Sequence, residues 1–298
     1  MKIEGVYTAL ITPFKKDGSG VDSKTLSQLI ERQIEAGISG IIFGGSTGEG
    51  QTMELSELTE TFETALPYKS KIQIIAACGF SSTSATAQRY EWLAKQGVDA
   101  VLVSTPPYNK PPQRGLVRHF QEIAQRATTP IIVYNIPGRT AVNLLPSSLN
   151  ELWKIPHILA VKESSGSLEQ MQLVMRDLPA GKVLLSGDDP LNLPVWSIGG
   201  RGTVSVLSNV APKGLVKLWK LWSANQPVEA AKLQSELLPL TNLLFSESNP
   251  IPTKFCLSRI LKKDLNPRLP LVPLDEVHHA KLLEELRRIG SLGYCEAV

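Results

Sequence analysis

The chain has 298 residues, of which 42% are hydrophobic and 20% are charged, and its formal net charge at pH 7 is +3. A chain of this length and composition can bury a large core, as an ordinary globular protein does. Its positive charges are scattered along the sequence, so we expect no nucleic-acid partner. The N-terminus lacks the apolar segment of a secretory signal, and no run approaches the ~18 apolar residues of a membrane span. We therefore expect a cytoplasmic protein with no membrane partner.

The cysteines and histidines limit the metal and redox chemistry. The three cysteines are too few and too far apart for a disulfide framework or a thiolate zinc site, which favours a reducing compartment. None of the four histidines forms a pair four residues apart on a predicted helix face. We therefore expect no bound metal.

Short apolar runs alternate with amphipathic segments from the N-terminus to about residue 225. The first run, Val6 to Thr12, is followed by a segment that Asp22 or Ser23 caps and that has helical spacing as far as Gly37. Seven further strands are predicted at 40–43, 72–77, 100–104, 131–134, 158–162, 183–186 and 203–207. Eight units of roughly 28 residues match the length of a βαβ step. The pattern predicts an α/β fold, a (β/α)8 TIM barrel, in preference to an open sheet.

Beyond residue 225 the strand pattern stops and only helical patterns remain. They run from Leu233 to Phe245, from Thr253 to Leu261 and from Leu274 to Ile289. We therefore predict two domains, a catalytic barrel at 1–225 and a C-terminal helical extension at 226–298.

The predicted sixth strand, Ile158 to Lys162, ends on a lysine. Four apolar residues precede the lysine and small residues follow at 164–166, as expected for a short, fully buried strand of a parallel sheet. Burial disfavours the ammonium form of lysine, and a neutral amine can attack a carbonyl group to give a Schiff base. The alternative is a lysine that extends to solvent and pairs with Glu163.

The other predicted strand ends carry suitable partners for such a lysine, because a barrel builds its active site from these ends and the loops after them. Strand two is followed by a Gly-rich loop, 44–50, whose backbone N–H groups and two hydroxyls suit a small carboxylate. Strand five ends in Tyr134, which can relay protons, and Arg139 in the next loop can hold a carboxylate by two hydrogen bonds. Asp188 and Asp189, after strand seven, resemble a helix cap more than a metal pair. Together these residues suit a Schiff-base aldolase that acts on a small keto acid.

Four motifs carry a resemblance to a known family. They are Thr-Pro-Pro-Tyr-Asn-Lys-Pro at 105–111, Tyr-Asn-Ile-Pro-Gly-Arg-Thr at 134–140, Ser-Gly-Asp-Asp at 186–189 and Asn-Pro-Ile-Pro-Thr-Lys at 249–254. On these motifs the chain resembles, almost from end to end, the dihydrodipicolinate synthase / N-acetylneuraminate lyase family of pyruvate-dependent class I aldolases. The motifs are most similar to the synthase branch.

The resemblance implies a catalytic role for four residues. Lys162 matches the lysine that forms the Schiff base, and Tyr134 matches the tyrosine that moves protons at the imine. Ser46 and Tyr108 match the other members of a proton relay, and this tyrosine reaches the relay of a neighbouring subunit. Two matches are inexact, since the synthases commonly have Thr-Thr where this chain has Ser46-Thr47 and Tyr-Tyr where this chain has Pro107-Tyr108.

The resemblance also implies four residues that bind substrates. Thr47, together with Ser46, matches the pair that receives the pyruvate carboxylate. Arg139 matches the residue that binds the carboxylate of the second substrate. Gly187 and Val204 match positions that line the pyruvate pocket.

The activity that the resemblance implies is the condensation of pyruvate with L-aspartate 4-semialdehyde on the diaminopimelate route to lysine. The imine on Lys162 would carry the reaction with no metal or organic cofactor, in a homotetramer built as a dimer of dimers. One alternative within the family is a lyase that acts on sialic acid or a 2-keto-3-deoxy sugar acid. An alternative of another class is a non-catalytic barrel that serves as a scaffold, although the intact Lys162 and Tyr134 argue against it.

A departure of this chain from the family it resembles predicts that lysine does not inhibit this protein. Family members that lysine inhibits bind it with an asparagine, a glutamate, a pair of histidines and the first tyrosine of Tyr-Tyr. The corresponding positions here are Ser81, Ala85, Leu55, Leu58 and Pro107. A lysine ammonium bound among these residues would lack a carboxylate partner, which is costly away from water.

Overall fold

The computed structural model describes residues 2–296, which contain eight β-strands in one closed barrel. The strands, β1 to β8, follow one another around the barrel in chain order. Their bounds are Gly5–Ala9, Gly40–Phe43, Gln73–Cys78, Ala100–Ser104, Ile131–Asn135, Ile158–Glu163, Val183–Ser186 and Gly202–Ser205. The predicted (β/α)8 barrel is therefore confirmed.

Twelve α-helices, α1 to α12, lie within residues 2–296. Their bounds are Ser23–Ala36, Leu55–Ala65, Thr83–Lys95, Gln113–Ala124, Pro137–Thr140, Pro146–Leu152, Leu168–Arg176, Asn192–Ser197, Pro212–Ser223, Pro227–Leu243, Ile251–Leu261 and His279–Ser291. Two helices rather than one follow β5, because Pro137 starts a single extra turn, α5, that the pattern did not predict. Helices α10 to α12 form the predicted C-terminal extension.

Local sequence sets the ends of the first helix. The Asp22 side chain accepts a hydrogen bond of 3.0 Å from the backbone N–H of Thr25, so Asp22 is the N-cap and Ser23 is not. Gly37 ends the helix in the left-handed conformation, with φ of +84°, which only glycine adopts without strain.

The chain divides into two compact units. One contains Ile74–Val204 with the few residues before Gly5, and the other contains Gly5–Gln73 and the chain from Ser205 onward. The predicted boundary near residue 225 stays a prediction.

In the first unit, β4 to β7 form a continuous parallel ladder whose residues are almost all buried. Burial on both faces explains why these strands are near-continuous apolar runs rather than alternating patterns. The register places Tyr134 of β5 opposite Lys162 of β6, and Asn135 opposite Glu163. Two predicted polar strand ends therefore lie side by side.

In the second unit, β1 ends at Ala9, three residues earlier than the apolar pattern predicted. The reason is Asn209, whose side-chain amide accepts from the N–H of Ile11 at 3.1 Å and donates to the carbonyl of Ala9 at 2.8 Å. These bonds satisfy the backbone without a strand neighbour. The hydroxyl of Thr12 is then directed to the carbonyl of Gly48, at 2.7 Å.

The last helix begins at His279, five residues later than predicted. The Asp275 side chain accepts from the N–H of Val277 at 2.9 Å, which stabilises a separate turn of 3-10 helix over Glu276–His278. Among residues 2–296, none of the helices is both long enough and apolar enough to cross a membrane.

Candidate active site

Lys162 lies near the end of β6, and its side chain is 6% exposed. Its Nζ atom is 3.9 Å from the centroid of the Tyr134 ring, and the Tyr134 side chain is itself buried. The two residues are also neighbours in the β5–β6 register. The structure therefore brings the predicted Schiff-base lysine and the predicted proton-transfer tyrosine into contact.

Glu163 does not serve Lys162 as an ion-pair partner, because successive residues of a strand face opposite sides. Its carboxylate accepts hydrogen bonds from the N–H of Ser165 at 2.7 Å and from Asn135 Nδ2 at 3.0 and 3.2 Å. The Gln170 amide donates a further bond of 3.3 Å. Burial raises the pKa of Glu163, and these hydrogen bonds oppose the rise. The alternative prediction, in which Lys162 extends to solvent and pairs with Glu163, is therefore wrong.

Gly187 lies against the stem of Lys162. A Cβ atom built at this position would be 2.9 Å from Lys162 Cε and 1.9 Å from Ser164 Oγ. Both distances are too short for a real side chain, and the second demands a shift of Ser164. A glycine at 187 is therefore what allows Lys162 and Ser164 their observed positions.

Asp188 carries a carboxyl group near Lys162, and sequence reasoning assigned it no catalytic or binding role. Burial raises the pKa of Asp188, the neighbouring Asp189 raises it further, and the positive charge of Lys162 opposes the rise. Asp188 occupies the N-cap position of a short 3-10 turn, Asp189–Leu191, but its side chain makes no capping bond. Asp188 therefore occupies the predicted cap position, but its carboxylate does not cap the turn.

Tyr108 is 89% exposed, so within this chain it is not packed with the buried pair Lys162 and Tyr134. Its backbone has a φ of +75°, a strained conformation for a bulky residue. Its own N–H donates to the carbonyl of Thr140 at 3.3 Å. The Ser81 hydroxyl donates to the carbonyl of Pro107 at 2.9 Å, so contacts on both sides fix the loop while the ring projects outward.

Two further residues with a predicted role, Arg139 and Val204, also lie in the first unit, Ile74–Val204. Arg139 is exposed on α5, the turn of helix that directly follows β5 and its Tyr134. Val204 is buried, at 1% exposure, in β8. Asp188 and the Gly187 contact could be found only once the strand ends were placed in space.

In the second unit, the Gly-rich loop that follows β2 holds Ser46 and Thr47. The N–H of Gly50 donates to the carbonyl of Gly45 at 3.1 Å, which closes the loop. A Cβ atom at Gly50 would lie 1.9 Å from the carbonyl oxygen of Gly44, so no side chain fits there. Ser46 is partly exposed and Thr47 is 2% exposed.

A buried ion pair lies behind this loop. Lys254 Nζ is paired with a carboxylate oxygen of Glu49, and the two side chains are 0% and 1% exposed. The other Glu49 oxygen accepts from the N–H of Arg268 at 2.8 Å. Burial lowers the pKa of Lys254 to about 8, although the Glu49 carboxylate opposes the shift. The sequence did not reveal this pair, since 205 positions separate its members.

No group of three histidine, cysteine, aspartate or glutamate side chains within the described residues is arranged to hold a metal ion. Cys78, Cys256 and Cys295 are free thiols.

A buried lysine packed on a tyrosine at neighbouring strand ends of a (β/α)8 barrel is the arrangement expected of a lyase that forms a Schiff base with its substrate. The sequence model of the Dihydrodipicolinate synthetase family matches residues 2–289, and the chain belongs to this family. A 4-hydroxy-tetrahydrodipicolinate synthase of Endomicrobium trichonymphae is 42% identical over 290 residues, which cover 97% of this chain and 99% of the relative.

Solved structures agree with this family membership. The 4-hydroxy-tetrahydrodipicolinate synthase of Methylacidiphilum fumariolicum SolV is 38% identical, with a TM-score of 0.93 and coverage of 98% of each chain. A DHDPS from Cyanidioschyzon merolae, solved with lysine bound, is 36% identical with a TM-score of 0.93, over 96% of this chain and 98% of that one.

Proposed function

We propose that the protein is a 4-hydroxy-tetrahydrodipicolinate synthase, which condenses pyruvate with L-aspartate 4-semialdehyde in diaminopimelate and lysine biosynthesis. The observation that carries the proposal is the buried Lys162 with its amine over the Tyr134 ring. Membership of the family, and relatives that carry this name over nearly their whole length, support it over the sugar-acid alternative.

In the proposed reaction the Lys162 amine attacks the keto carbon of pyruvate, and loss of water gives an imine. The methyl group next to the imine then loses a proton to give an enamine, whose carbon attacks the aldehyde of the semialdehyde. The amine of the bound product finally attacks the imine carbon, which closes the ring and releases Lys162. Because the iminium group accepts the electrons that deprotonation leaves behind, we propose that no metal or organic cofactor takes part.

We assign the roles of the individual residues on the same basis. Tyr134 transfers protons at the imine, since its ring already contacts Lys162. Ser46 and the Tyr108 of a neighbouring subunit complete the relay.

Substrate binding involves four further residues. Thr47 receives the pyruvate carboxylate with the Gly-rich loop, and Arg139 binds the carboxylate of the semialdehyde. Gly187 and Val204 line the pyruvate pocket, and the short contact of Gly187 with the Lys162 stem supports the first of these assignments.

Covalent trapping tests the central step. Borohydride added with pyruvate is expected to leave one reduced adduct, located by peptide mass spectrometry on Lys162, and none on the Lys162→Ala variant. Initial rates with pyruvate plus semialdehyde are then compared with cleavage of sialic acid and of a 2-keto-3-deoxy sugar acid. Arg139→Ala should impair use of the semialdehyde far more than trapping of pyruvate. Faster cleavage of a sugar acid would assign the chain to the other branch, and absence of any adduct would leave a non-catalytic barrel.

We propose further that the working form is a homotetramer, a dimer of dimers. Tyr108, an exposed aromatic ring that its loop holds in a strained conformation, supports a contact with at least one neighbouring subunit, and the pairing of dimers is what the family resemblance implies. If Tyr108 serves a neighbour, mixing Lys162→Ala subunits with Tyr108→Ala subunits should restore activity that neither variant has alone. A fully active monomer in light scattering would overturn this proposal. The three free thiols support a cytoplasmic location.

A further inference from the structure

The C-terminal extension reaches the Gly-rich loop through Asn249. Its Nδ2 atom donates a hydrogen bond of 2.8 Å to Thr47 Oγ1, across 202 positions of sequence. Both side chains are buried, and the Thr253 hydroxyl donates to Asn249 Oδ1 at 3.2 Å. The structure thus directs the amide nitrogen of Asn249 toward Thr47 and the amide oxygen toward Thr253.

The direction of the bond determines what the Thr47 hydroxyl can do. A threonine hydroxyl has one proton and two lone pairs, whereas an amide nitrogen can only donate. The contact with Asn249 therefore uses a lone pair of Thr47 and leaves the hydroxyl proton to be donated elsewhere. A carboxylate is an acceptor only, so a Thr47 hydroxyl in this orientation is prepared to bind one.

The backbone that carries Thr47 is held from the same segment. Two residues beyond Thr47, the Glu49 carboxylate is paired with Lys254 and accepts from the N–H of Arg268. Lys254 also donates to the carbonyl of Asn266 at 3.2 Å and lies 4.4 Å from the centroid of the Phe14 ring. The loop thus has little freedom to turn Thr47 away from Asn249.

We propose that Asn249 is a positioning residue for pyruvate, which orients the Thr47 hydroxyl as a hydrogen-bond donor to the substrate carboxylate. The proposal rests on the role of Thr47 in the proposed function. Asn249 itself does not contact the substrate, so its effect passes through Thr47.

The test compares Asn249→Ala with Thr47→Val by steady-state kinetics and by the pyruvate concentration that gives half-maximal borohydride trapping. A hydrogen bond to a charged group contributes enough to binding that its loss raises the KM for pyruvate about tenfold. The bond to the carboxylate persists throughout the reaction, so kcat at saturating pyruvate should change less than about twofold. The KM for the semialdehyde should also stay within about twofold.

The double variant Asn249→Ala/Thr47→Val separates positioning from general damage. If Asn249 acts through the Thr47 hydroxyl, the double variant has the same pyruvate KM as Thr47→Val alone. If the two residues act independently, the fold-increases in KM of the single variants multiply. Asn249→Asp, which keeps the shape of asparagine, is a second probe. Its carboxylate would accept the Thr47 proton, so it should raise the pyruvate KM at least as much as alanine does, whereas a packing role predicts a milder effect.

Asn209→Ala is the matched control, because Asn209 is a buried asparagine of the same unit that bonds to Ala9 and Ile11 instead of the loop. It should lower stability and leave the KM for pyruvate unchanged. An unchanged KM in Asn249→Ala alongside a raised KM in Thr47→Val would overturn the present proposal only. An unchanged KM in Thr47→Val, or a wild type that traps no pyruvate, would instead overturn the proposed function on which it rests.

Discussion

Replacing Lys254 by methionine should destabilise the protein strongly, because the change leaves the Glu49 carboxylate buried without its cation. Both side chains are at most 1% exposed, so water cannot replace the missing charge. Removing one partner of a buried ion pair typically costs about 3–5 kcal/mol of unfolding free energy. Methionine keeps most of the aliphatic stem, so little of this loss would come from packing. Urea unfolding of the wild type and of Lys254→Met, monitored by circular dichroism, measures the difference in unfolding free energy.

Two further variants decide whether the charge is responsible. Glu49→Gln in the Lys254→Met background removes the unpaired carboxylate and should recover at least about 2 kcal/mol. Lys263→Met is the matched control, since Lys263 donates to Thr25 Oγ1 at 2.7 Å and to Gln28 Oε1 at 2.9 Å but is only partly buried. It should lose no more than about 2 kcal/mol. A double variant as unstable as Lys254→Met alone would refute the reasoning.

Three other outcomes are expected. Gly187→Ala should reduce pyruvate trapping at least about tenfold, because its Cβ would lie 2.9 Å from Lys162 Cε, while Gly138→Ala, which has no atom within 4 Å of the added carbon, should trap normally. Lysine should not inhibit, and half-inhibition at or below about 1 mM at sub-saturating pyruvate, an affinity of roughly 4 kcal/mol, would contradict this. Burial lowers the pKa of His119 from 6.5 to about 4, so between these values the unfolded chain binds the additional proton and stability falls as the pH falls. This loss amounts to about 3 kcal/mol, and His119→Gln should remove most of it in urea titrations at pH 7 and pH 4.5. An unchanged pH dependence in that variant would assign the loss to other groups.

The alternation of apolar and amphipathic segments was enough to predict the barrel, since each buried parallel strand must be apolar along its whole length. The strand pattern also singles out Lys162, because a charged residue at the end of such a strand stands out against its neighbours, and the structure shows that this lysine is buried. Its contact with Tyr134 follows from the order of the strands.

Interactions between distant segments could not be predicted in this way. Lys254 occupies a helix position at which a lysine ordinarily extends to solvent, and only the Glu49 carboxylate makes its burial tolerable. Ile11 continues an apolar pattern, yet the amide of Asn209 replaces the strand neighbour that the pattern implied. In both cases the partner is about two hundred residues away, beyond the reach of any local pattern.

The contacts that hold the Gly-rich loop have a consequence for synthesis of the chain. The loop follows β2, but Asn249, Lys254 and Arg268 all come after the last strand, and the bond from Arg268 spans 219 positions. When β8 of a nascent chain has just emerged from the ribosome, every barrel strand is available but none of these three contacts can form yet. The loop can adopt its final geometry only after the C-terminal segment emerges, so the carboxylate binding that we propose for this loop should appear late in translation, after the barrel strands are complete.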